Sequence, residues 1–448
     1  MSNHSKKNDK NVRLHLNPDN IRNLIHKLPG YHKPLPSNTY VSYIHLPNTE
    51  KYIHYWFIEC EHSPKTAPIF FWTNGGPGCS GLLGLFEEIG PFFVDKHLKL
   101  ERNEWAWTKF ANIVFIEQPV GVGFSHSLHK TDYTSNDDKA AKDNLQFLIE
   151  FFKVFPEFKN NKLYLTSESY GGHYIPMWSK ELIKYNKEHN EFNFKGMILG
   201  NPFITYDTGE DAQIETFWGN QRMPIRLWEK FKKSNCRRTF KSRSICKKIE
   251  DEVSQAVGKV NPYAIDAPLC ISHQGRKLHK FITNKTFNYY NQSKRDIACI
   301  DKFTKQYLNS PEVKEIIKPA NDRIWTQCSN SVKYRLKDGY NSMVKYVKEI
   351  LYDKDLKDFD ILILSGTNDS ICSTVGTQKW IHALNLKIVK NWKQYFLEEQ
   401  PRGYVTTFVG EDKKYLNLVT VDFAGHEIPM YKPHVSYVMV EKLLHHKL

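Results

Sequence analysis

The heptapeptide Thr-Ser-Glu-Ser-Tyr-Gly-Gly at residues 166–172 contains the residue best suited to nucleophilic catalysis, Ser169. An apolar run at 162–165 predicts a strand that ends there, and a helical pattern follows it. A serine on such a strand-to-helix turn is raised above the sheet when its neighbours are small. Ser167 stands where glycine is usual, and a serine in an ordinary loop would give a similar pattern. The prediction therefore depends on partners elsewhere in the chain.

A nucleophilic serine needs a histidine base and a carboxylate, which in this type of sheet follow in the order Ser, Asp, His. Residues 360–366 are predicted to form a buried parallel strand, and Asp369 lies in the loop at its end. Residues 417–421 are predicted to form another such strand, and His426 follows it. Active sites lie beyond the carboxyl ends of such strands. We therefore predict a triad of Ser169, Asp369 and His426.

A glycine-rich loop at 74–81, Asn-Gly-Gly-Pro-Gly-Cys-Ser-Gly, follows a hydrophobic run. Backbone N–H groups in such a loop can stabilise an oxyanion. The loop lacks both the Gly-Lys-Ser/Thr ending of a phosphate-binding loop and the spacing of a dinucleotide-binding one. An oxyanion hole is therefore favoured over a phosphate site, and a simple tight turn is the alternative.

Four motifs resemble the signatures of the serine carboxypeptidases, which are α/β-hydrolases that remove C-terminal residues from peptides. They occupy residues 74–80, 117–125, 168–176 and 424–426. The resemblance runs from about Ile21 to the C-terminus. It implies an α/β fold with a mostly parallel central sheet, flanking helices and an inserted cap subdomain.

The resemblance also assigns roles to individual residues. It implies Ser169 as nucleophile, His426 as general base and acid, and Asp369 as the group that orients the imidazole. The backbone N–H groups of Gly76 and Tyr170 would form the oxyanion hole. The residues that would hold the free carboxylate of the substrate are Trp72, Asn74, Glu88 and Glu168. No metal or cofactor is implied.

The two glutamates in that set constrain the chemistry of binding. Two carboxyl groups bind a third carboxylate only if they hold or share protons. Glu88 and Glu168 are therefore expected to act as hydrogen-bond donors, which predicts an acidic pH optimum for peptide hydrolysis. Glu87 is interpreted as part of a solvated helix face, and the same interpretation is the alternative for Glu88.

The leading functional prediction is a serine-type carboxypeptidase that hydrolyses the C-terminal peptide bond of peptides or proteins through an acyl-enzyme. The alternatives are an acyltransferase on the same scaffold and a catalytically silent protective or binding protein. Retention of Asn74, Glu88 and Glu168 favours the peptidase. The preferred C-terminal residue, proteolytic activation and the oligomeric state, including a homodimer, are left open.

The chain has 448 residues, of which 40% are hydrophobic, so it exceeds one usual compact core. Strands alternating with helices predict a hydrolase core formed by 21–204 and 336–448. Between these parts, residues 205–335 lose the strand signal and contain a cluster of four cysteines, which predicts an inserted cap. Residues 1–20 form a polar leader that is expected to be disordered.

The formal charge of +14 could indicate a nucleic-acid partner. The basic residues are dispersed, however, and no recognition module accompanies them. No apolar stretch has the length of a membrane span. The predicted partner is therefore a peptide or protein C-terminus, with no nucleic acid and no membrane span.

The eight cysteines and the sequons at Asn284 and Asn291 bear on the compartment. The resemblance pairs Cys79 with Cys328, Cys236 with Cys246 and Cys270 with Cys299, and it leaves Cys60 and Cys372 free. Sequons at Asn284 and Asn291 would carry glycans in a secretory compartment. The resemblance implies a secretory, vacuolar or lysosomal type of location, although the polar N-terminus lacks the apolar region of a signal peptide.

Overall fold

The computed structural model describes residues 22–234, 236, 244–270, 297–335 and 341–448. The leader predicted at 1–20 and both sequons lie outside these residues. Within them, a twelve-stranded sheet has the order β1-β2-β3-β7-β4-β10-β11-β13-β16-β15-β14, and β8 pairs with β3. The strands are β1 Leu24–Ile25, β2 Thr39–His45, β3 Lys51–Ile58, β4 Ile69–Thr73, β5 Phe92–Val94, β6 Leu100–Arg102, β7 Asn112–Ile116, β8 His126–Ser127, β9 Thr134–Ser135, β10 Leu163–Glu168, β11 Phe194–Gly200, β12 Lys333–Tyr334, β13 Asp360–Gly366, β14 Lys387–Leu397, β15 Gln400–Val409 and β16 Tyr415–Val421.

Helices cover both faces of this sheet and also form the segment inserted between its two halves. The α-helices are α1 Asp137–Val154, α2 Gly171–His189, α3 Gly209–Gly219, α4 Ile225–Lys233, α5 Ser244–Val257, α6 Ile300–Leu308, α7 Pro311–Ile317, α8 Val344–Leu351, α9 Thr374–Ala383, α10 Ile428–Tyr431 and α11 Pro433–Leu444. A single π-helical turn occupies Gly84–Glu88.

The central strands β7, β4, β10, β11, β13 and β16 run parallel to one another. Nearly all their residues are buried because helices pack on both faces, which explains their continuous apolar sequences. Near the N-terminus, β2 and β3 form an antiparallel hairpin. Because parallel strands end on the same side, β10, β13 and β16 deliver their following loops to one edge of the sheet.

The chain leaves the sheet after Gly200 and returns to it at Asp360. The helices α3 to α5 in this interval have a small hydrophobic core of their own, which includes Phe217, Leu227 and Phe231. The described residues of this segment add no strand to the main sheet.

The structure contains three disulfides, and they are the pairs implied by the resemblance: Cys79–Cys328, Cys236–Cys246 and Cys270–Cys299. The first joins the glycine-rich loop after β4 to the end of the inserted segment. Cys60 and Cys372 are free and buried. Over the described ranges, no helix is both long and apolar enough to cross a membrane.

Candidate active site

Ser169 lies at the sharp turn between β10 and α2. Its φ of 56° is in the left-handed region, which is strained for a residue with a side chain. Three backbone hydrogen bonds hold this conformation: Ser169 N–H donates to Gly200 O at 3.1 Å, and Ser169 O accepts from Gly172 and Phe203 at 2.9 and 2.7 Å. The strand-to-helix turn predicted for this serine is therefore present, with Ser169 itself partly exposed.

His426 and Asp369 meet at the same edge of the sheet. Asp369 follows β13 and His426 follows β16, and the two strands are neighbours. The Nδ1 atom of His426 lies 2.6 Å from Asp369 Oδ2, and both side chains are buried. Asp369 also accepts hydrogen bonds from the backbone N–H groups of Ile371 and Cys372, at 2.8 and 3.2 Å. With Nδ1 directed at the carboxylate, Nε2 is the imidazole atom available for proton transfer.

The Cys372 thiol lies close both to Ser169 and to the Asp369–His426 pair. Its sulfur lies within 4.8 Å of the nearest donor atoms of Asp369 and His426. Burial raises the pKa of Cys372 well above its usual range, as do the nearby carboxylates of Asp369 and Glu168, whereas a hydrogen bond with the Ser169 side chain opposes the rise. Ser169 is thus brought to the same cluster as Asp369 and His426.

Asn201, directly after β11, holds the histidine loop in place. Its amide donates to the carbonyl oxygens of Gly425 and His426 at 3.0 and 2.7 Å. Its side-chain oxygen accepts from Gly366 N–H at 2.8 Å. Asn201 thereby joins the loops that follow β11, β13 and β16. Its position at the carboxyl end of a buried parallel strand was the available signal.

The inserted segment also contacts the histidine. Tyr263 O accepts a hydrogen bond from His426 N–H at 2.7 Å. The Tyr263 ring lies edge-on to the imidazole, with ring centroids 5.0 Å apart. The site is therefore completed by a residue of the insertion, in the part of the chain where sequence patterns were least informative.

The glycine-rich loop packs directly against the serine turn. A side chain at Gly75 would place its Cβ 2.5 Å from Tyr170 N and 2.8 Å from Ser169 Cβ, so only glycine allows this approach. Gly76 has a φ of +113°, which also favours glycine. The predicted oxyanion-hole residues Gly76 and Tyr170 thus belong to two segments in close contact.

The four residues predicted to hold a substrate carboxylate form one buried network. Asn74 Nδ2 donates to Glu88 Oε1 at 3.0 Å and to Glu168 Oε1 at 2.8 Å. Asn74 Oδ1 accepts from Trp72 Nε1 at 2.8 Å, which fixes the orientation of the amide. Glu88 and Glu168 are 2% and 5% exposed, so neither is solvated as a surface glutamate would be.

The proton affinity of this network is raised. Burial raises the pKa of Glu168 well above its usual range, and the neighbouring carboxyls of Glu88 and Glu427 raise it further. Burial likewise raises the pKa of Glu427 to about 7, with His426 opposing the rise and Glu88 adding to it. These carboxyl groups therefore retain protons at pH values where surface glutamates are ionised.

The imidazole responds to the same charges. Burial lowers the pKa of His426, but the Asp369 carboxylate, with smaller contributions from Glu427 and Glu88, outweighs burial and raises it to about 9. Protonation of Glu427 and Glu88 removes part of this effect, because a neutral carboxyl no longer favours the imidazolium. An acidic medium thus neutralises the glutamates and at the same time makes the imidazole a weaker base.

The interpretation of Glu87 as part of a solvated helix face is wrong. Glu87 is 4% exposed, and all five residues of the π-helical turn Gly84–Glu88 are buried. A π-helical turn packed into the interior has no solvated face, so both glutamates point into the protein. Burial raises the pKa of Glu87 well above its usual range, and Asp301 adds to the effect.

A second network that sequence reasoning missed is centred on Asp137, at the start of α1. This carboxyl is 2% exposed. Its Oδ1 accepts from the hydroxyls of Tyr170 at 3.1 Å and Tyr334 at 2.7 Å, and its Oδ2 lies 3.1 Å from His173 Nδ1. Tyr170 directly follows Ser169, and His173 lies in the first turn of α2. Tyr334 belongs to the end of the inserted segment. The network therefore fixes the residue that follows Ser169.

Strand order, the serine turn and the histidine–aspartate pair together define an α/β-hydrolase, which confirms the predicted fold class. Among solved structures, the Kex1 prohormone-processing carboxypeptidase of Saccharomyces cerevisiae has a similar fold, with a TM-score of 0.72 at 21% identity over 91% of each chain.

The family follows from comparison of the sequences. The serine carboxypeptidase family model matches residues 29–446. Serine carboxypeptidase-like 34 of Arabidopsis thaliana is 31% identical, covering 94% of this chain and 88% of its own. The lysosomal protective protein of Mus musculus is 29% identical, and the match covers 93% of this chain and 92% of that protein. The chain belongs to the serine carboxypeptidase family. It is a hydrolase of the serine-type carboxypeptidase class, and the predicted family is confirmed.

Proposed function

We propose that Ser169, His426 and Asp369 are the catalytic residues and that Trp72, Asn74, Glu88 and Glu168 bind the C-terminal carboxylate of the peptide. The observation that supports this assignment most is the position of the buried Asn74–Glu88–Glu168 network, because Glu168 directly precedes the serine. A peptide whose carboxylate meets this network presents its last peptide bond to Ser169. The bond that is cleaved is therefore the one that lies one residue away from the bound carboxylate.

In the proposed reaction, Ser169 Oγ attacks the carbonyl carbon of the last peptide bond while His426 Nε2 accepts the hydroxyl proton. The negative charge on the carbonyl oxygen is stabilised by the N–H groups of Gly76 and Tyr170. His426 then gives the proton to the leaving amine, and the C–N bond breaks. Water, deprotonated by His426, attacks the acyl-enzyme ester and releases the shortened peptide.

Binding of a carboxylate beside two glutamates requires protons, and the raised pKa of Glu168 supplies them. Protonated Glu168, together with Asn74, donates hydrogen bonds to the substrate instead of repelling it. As pH rises these carboxyl groups lose their protons, Glu427 at about 7, so the site becomes more anionic and peptide binding weakens. An acidic optimum for peptide hydrolysis follows.

The three disulfides support a proposed location in an oxidising compartment of the secretory or lysosomal type. The name of the mouse lysosomal protective protein is consistent with such a location. Peptide mapping under non-reducing conditions tests this proposal, since six thiols that are reduced in the native protein would contradict it.

The role of Ser169 is tested with blocked dipeptides and a fluorophosphonate probe. We expect the wild-type protein to release the last amino acid and to be labelled at Ser169, and Ser169→Ala to do neither. Ser329→Ala is the matched control, because Ser329 lies in the insertion beside Cys328. If Ser169→Ala released the last amino acid as fast as the wild-type protein, the assignment would be contradicted. Adding an alcohol acceptor to the same reaction tests the acyltransferase alternative, which predicts an ester in place of free acid.

A further inference from the structure

The helix α2 makes a second contact with the glycine-rich loop, beyond the close approach of Gly75 to the serine turn. The hydroxyl oxygen of Tyr174 accepts a hydrogen bond from the backbone N–H of Gly78 at 3.1 Å. Tyr174 lies one helical turn after Tyr170, the residue that follows the serine. One helix therefore begins at the serine turn and, one turn further on, holds the loop that contains Gly76.

Tyr174 has little freedom to move away from this contact. It is 1% exposed. Its ring packs against Tyr170, with ring centroids 5.2 Å apart, and against Tyr334 at 6.0 Å. Burial raises the pKa of Tyr174 far above its usual range, and the Asp137 carboxylate adds to the rise, whereas the hydrogen bond with Gly78 opposes it. The hydroxyl is therefore neutral, and its oxygen is fixed in place as an acceptor.

The glycine-rich loop carries this contact to Gly76 over a short distance. Gly76 has a φ of +113°, and a Cβ atom there would lie 2.7 Å from the backbone nitrogen of Gly78. The two residues are thus in direct contact, so a shift of one moves the other. Gly76 is exposed, whereas Gly78 is buried. A substrate can therefore reach the loop at Gly76, while the protein holds it at Gly78.

Two other contacts hold this part of the loop, and both lead to the inserted segment. The carbonyl oxygen of Gly78 accepts a hydrogen bond from Ser329 N–H at 2.8 Å. The next residue, Cys79, is bonded to Cys328. Of the hydrogen bonds that the Gly78 backbone makes in the described part of the chain, only the one to Tyr174 leads to the helix that follows the serine.

We propose that Tyr174 is a positioning residue for the oxyanion hole and sets the distance between the N–H group of Gly76 and the Ser169 hydroxyl. The proposal rests on the proposed function, in which the N–H groups of Gly76 and Tyr170 stabilise the oxyanion. Tyr174 acts through the loop and does not contact the substrate. Its position matters because donors stabilise a tetrahedral intermediate only when they already lie where its oxygen will form.

Replacing the hydroxyl alone tests this role. Tyr174→Phe keeps the ring but leaves the buried N–H of Gly78 without its partner, which favours a shift of the loop. Complete loss of an oxyanion donor lowers kcat by about 10²–10³, so a displaced donor should cost less, and we expect kcat/KM to fall about tenfold. The fall should be equal for a blocked dipeptide and for an ester without a free carboxylate, because both reactions use the same oxyanion hole.

Two inhibitors separate this role from a general effect on the fold. A peptide aldehyde forms a tetrahedral adduct with a catalytic serine and places its oxygen in the oxyanion hole. The free amino acid that the reaction releases binds only at the proposed carboxylate network. In Tyr174→Phe, we expect Ki for the aldehyde to rise by the same factor by which kcat/KM falls, and Ki for the amino acid to stay unchanged.

Tyr307→Phe is the matched control, because Tyr307 is also buried and its hydroxyl donates to the Pro29 carbonyl oxygen at 2.9 Å. It should change none of these constants. Gly78→Ala is a second variant, which strains the same loop at a φ of +94° and leaves the tyrosine intact. It should give the pattern expected for Tyr174→Phe, and it decides the matter if Tyr174→Phe does not fold.

Wild-type kcat/KM in Tyr174→Phe would overturn the proposal while leaving the carboxypeptidase assignment intact. The same conclusion would follow from equal losses of affinity for the aldehyde and the amino acid, or, if Tyr174→Phe does not fold, from unchanged constants in Gly78→Ala. Absence of Ser169-dependent release from every peptide would overturn both the proposal and the assignment.

Discussion

Buried carboxyl groups occur in two regions of the site, and their surroundings differ. Asp369 accepts hydrogen bonds from an imidazole and two backbone N–H groups. Glu168 and Glu88 share the amide of Asn74 and face one another. Donors stabilise a carboxylate, whereas a second carboxyl favours a shared proton. The same functional group can therefore serve as an anion in one region and as a hydrogen-bond donor in the other.

This difference explains how one site handles two opposite charges. The Asp369 region must stabilise the imidazolium that forms when His426 accepts a proton. In the proposed function the Glu88–Glu168 region binds a carboxylate, for which its carboxyl groups must hold protons. The two regions are adjacent but respond to acid in opposite ways: acidification neutralises Glu168, which favours carboxylate binding, and protonates His426, which removes the base.

Replacing the anion in the first region should have the largest effect. Asp369→Asn keeps the shape of the side chain but removes its charge and favours the wrong imidazole tautomer. We expect kcat to fall by about 10⁴ for peptides and for carboxylate-free esters alike. Asp360→Asn, at the opposite end of β13, is the matched control and should retain activity. A loss confined to peptide substrates would contradict the role given to Asp369.

Replacing a carboxyl in the second region should separate the substrates. The amide in Glu168→Gln donates hydrogen bonds at every pH, so the fall in peptide kcat/KM above about pH 7 should shift upward or disappear, whereas ester turnover should change less than about threefold. Glu150→Gln alters a glutamate that is also buried but lies on α1. It should leave both profiles unchanged. An unaltered peptide profile in Glu168→Gln would show that this carboxyl does not control binding.

A smaller effect is expected from the network around Asp137. Tyr170→Phe and Tyr334→Phe each remove one hydroxyl that donates to this carboxyl. Loss of one buried hydrogen bond is worth about 1 kcal/mol, so kcat should fall about fivefold with KM nearly unchanged. Tyr395→Phe is the control, because its hydroxyl donates to the backbone carbonyl oxygens of Arg402 and Thr420 and not to Asp137. Equal loss in kcat for Tyr395→Phe would indicate a general effect on folding.

The sheet and the loops that carry Ser169, Asp369 and His426 were predictable because their signals are local. Continuous apolar runs indicated the strands β10, β13 and β16. The loop that follows each of these strands was therefore expected at one edge of the sheet. The long β14–β15 hairpin was not anticipated. The strand β14 is largely exposed, so its sequence lacks the apolar run on which the other predictions depended.

The missed parts of the site depend on contacts between distant segments. Glu87 looked like a solvated residue because a charged pair in a helical pattern usually faces water, and the π-helical turn was not visible in the sequence. Tyr263 and Asp301 belong to the insertion, whose position relative to the sheet depends on tertiary packing and on the Cys79–Cys328 disulfide. No periodicity within the insertion indicates which of its residues reach the sheet.

The central claim is that protonated carboxyls beside the serine bind the substrate's carboxylate. The most direct test is to measure kcat/KM against pH for a blocked dipeptide and for its amide, which lacks that carboxylate. We predict that peptide turnover declines as pH rises through about 7, where Glu427 ionises, while amide turnover persists to higher pH. Parallel profiles for the two substrates would contradict the claim.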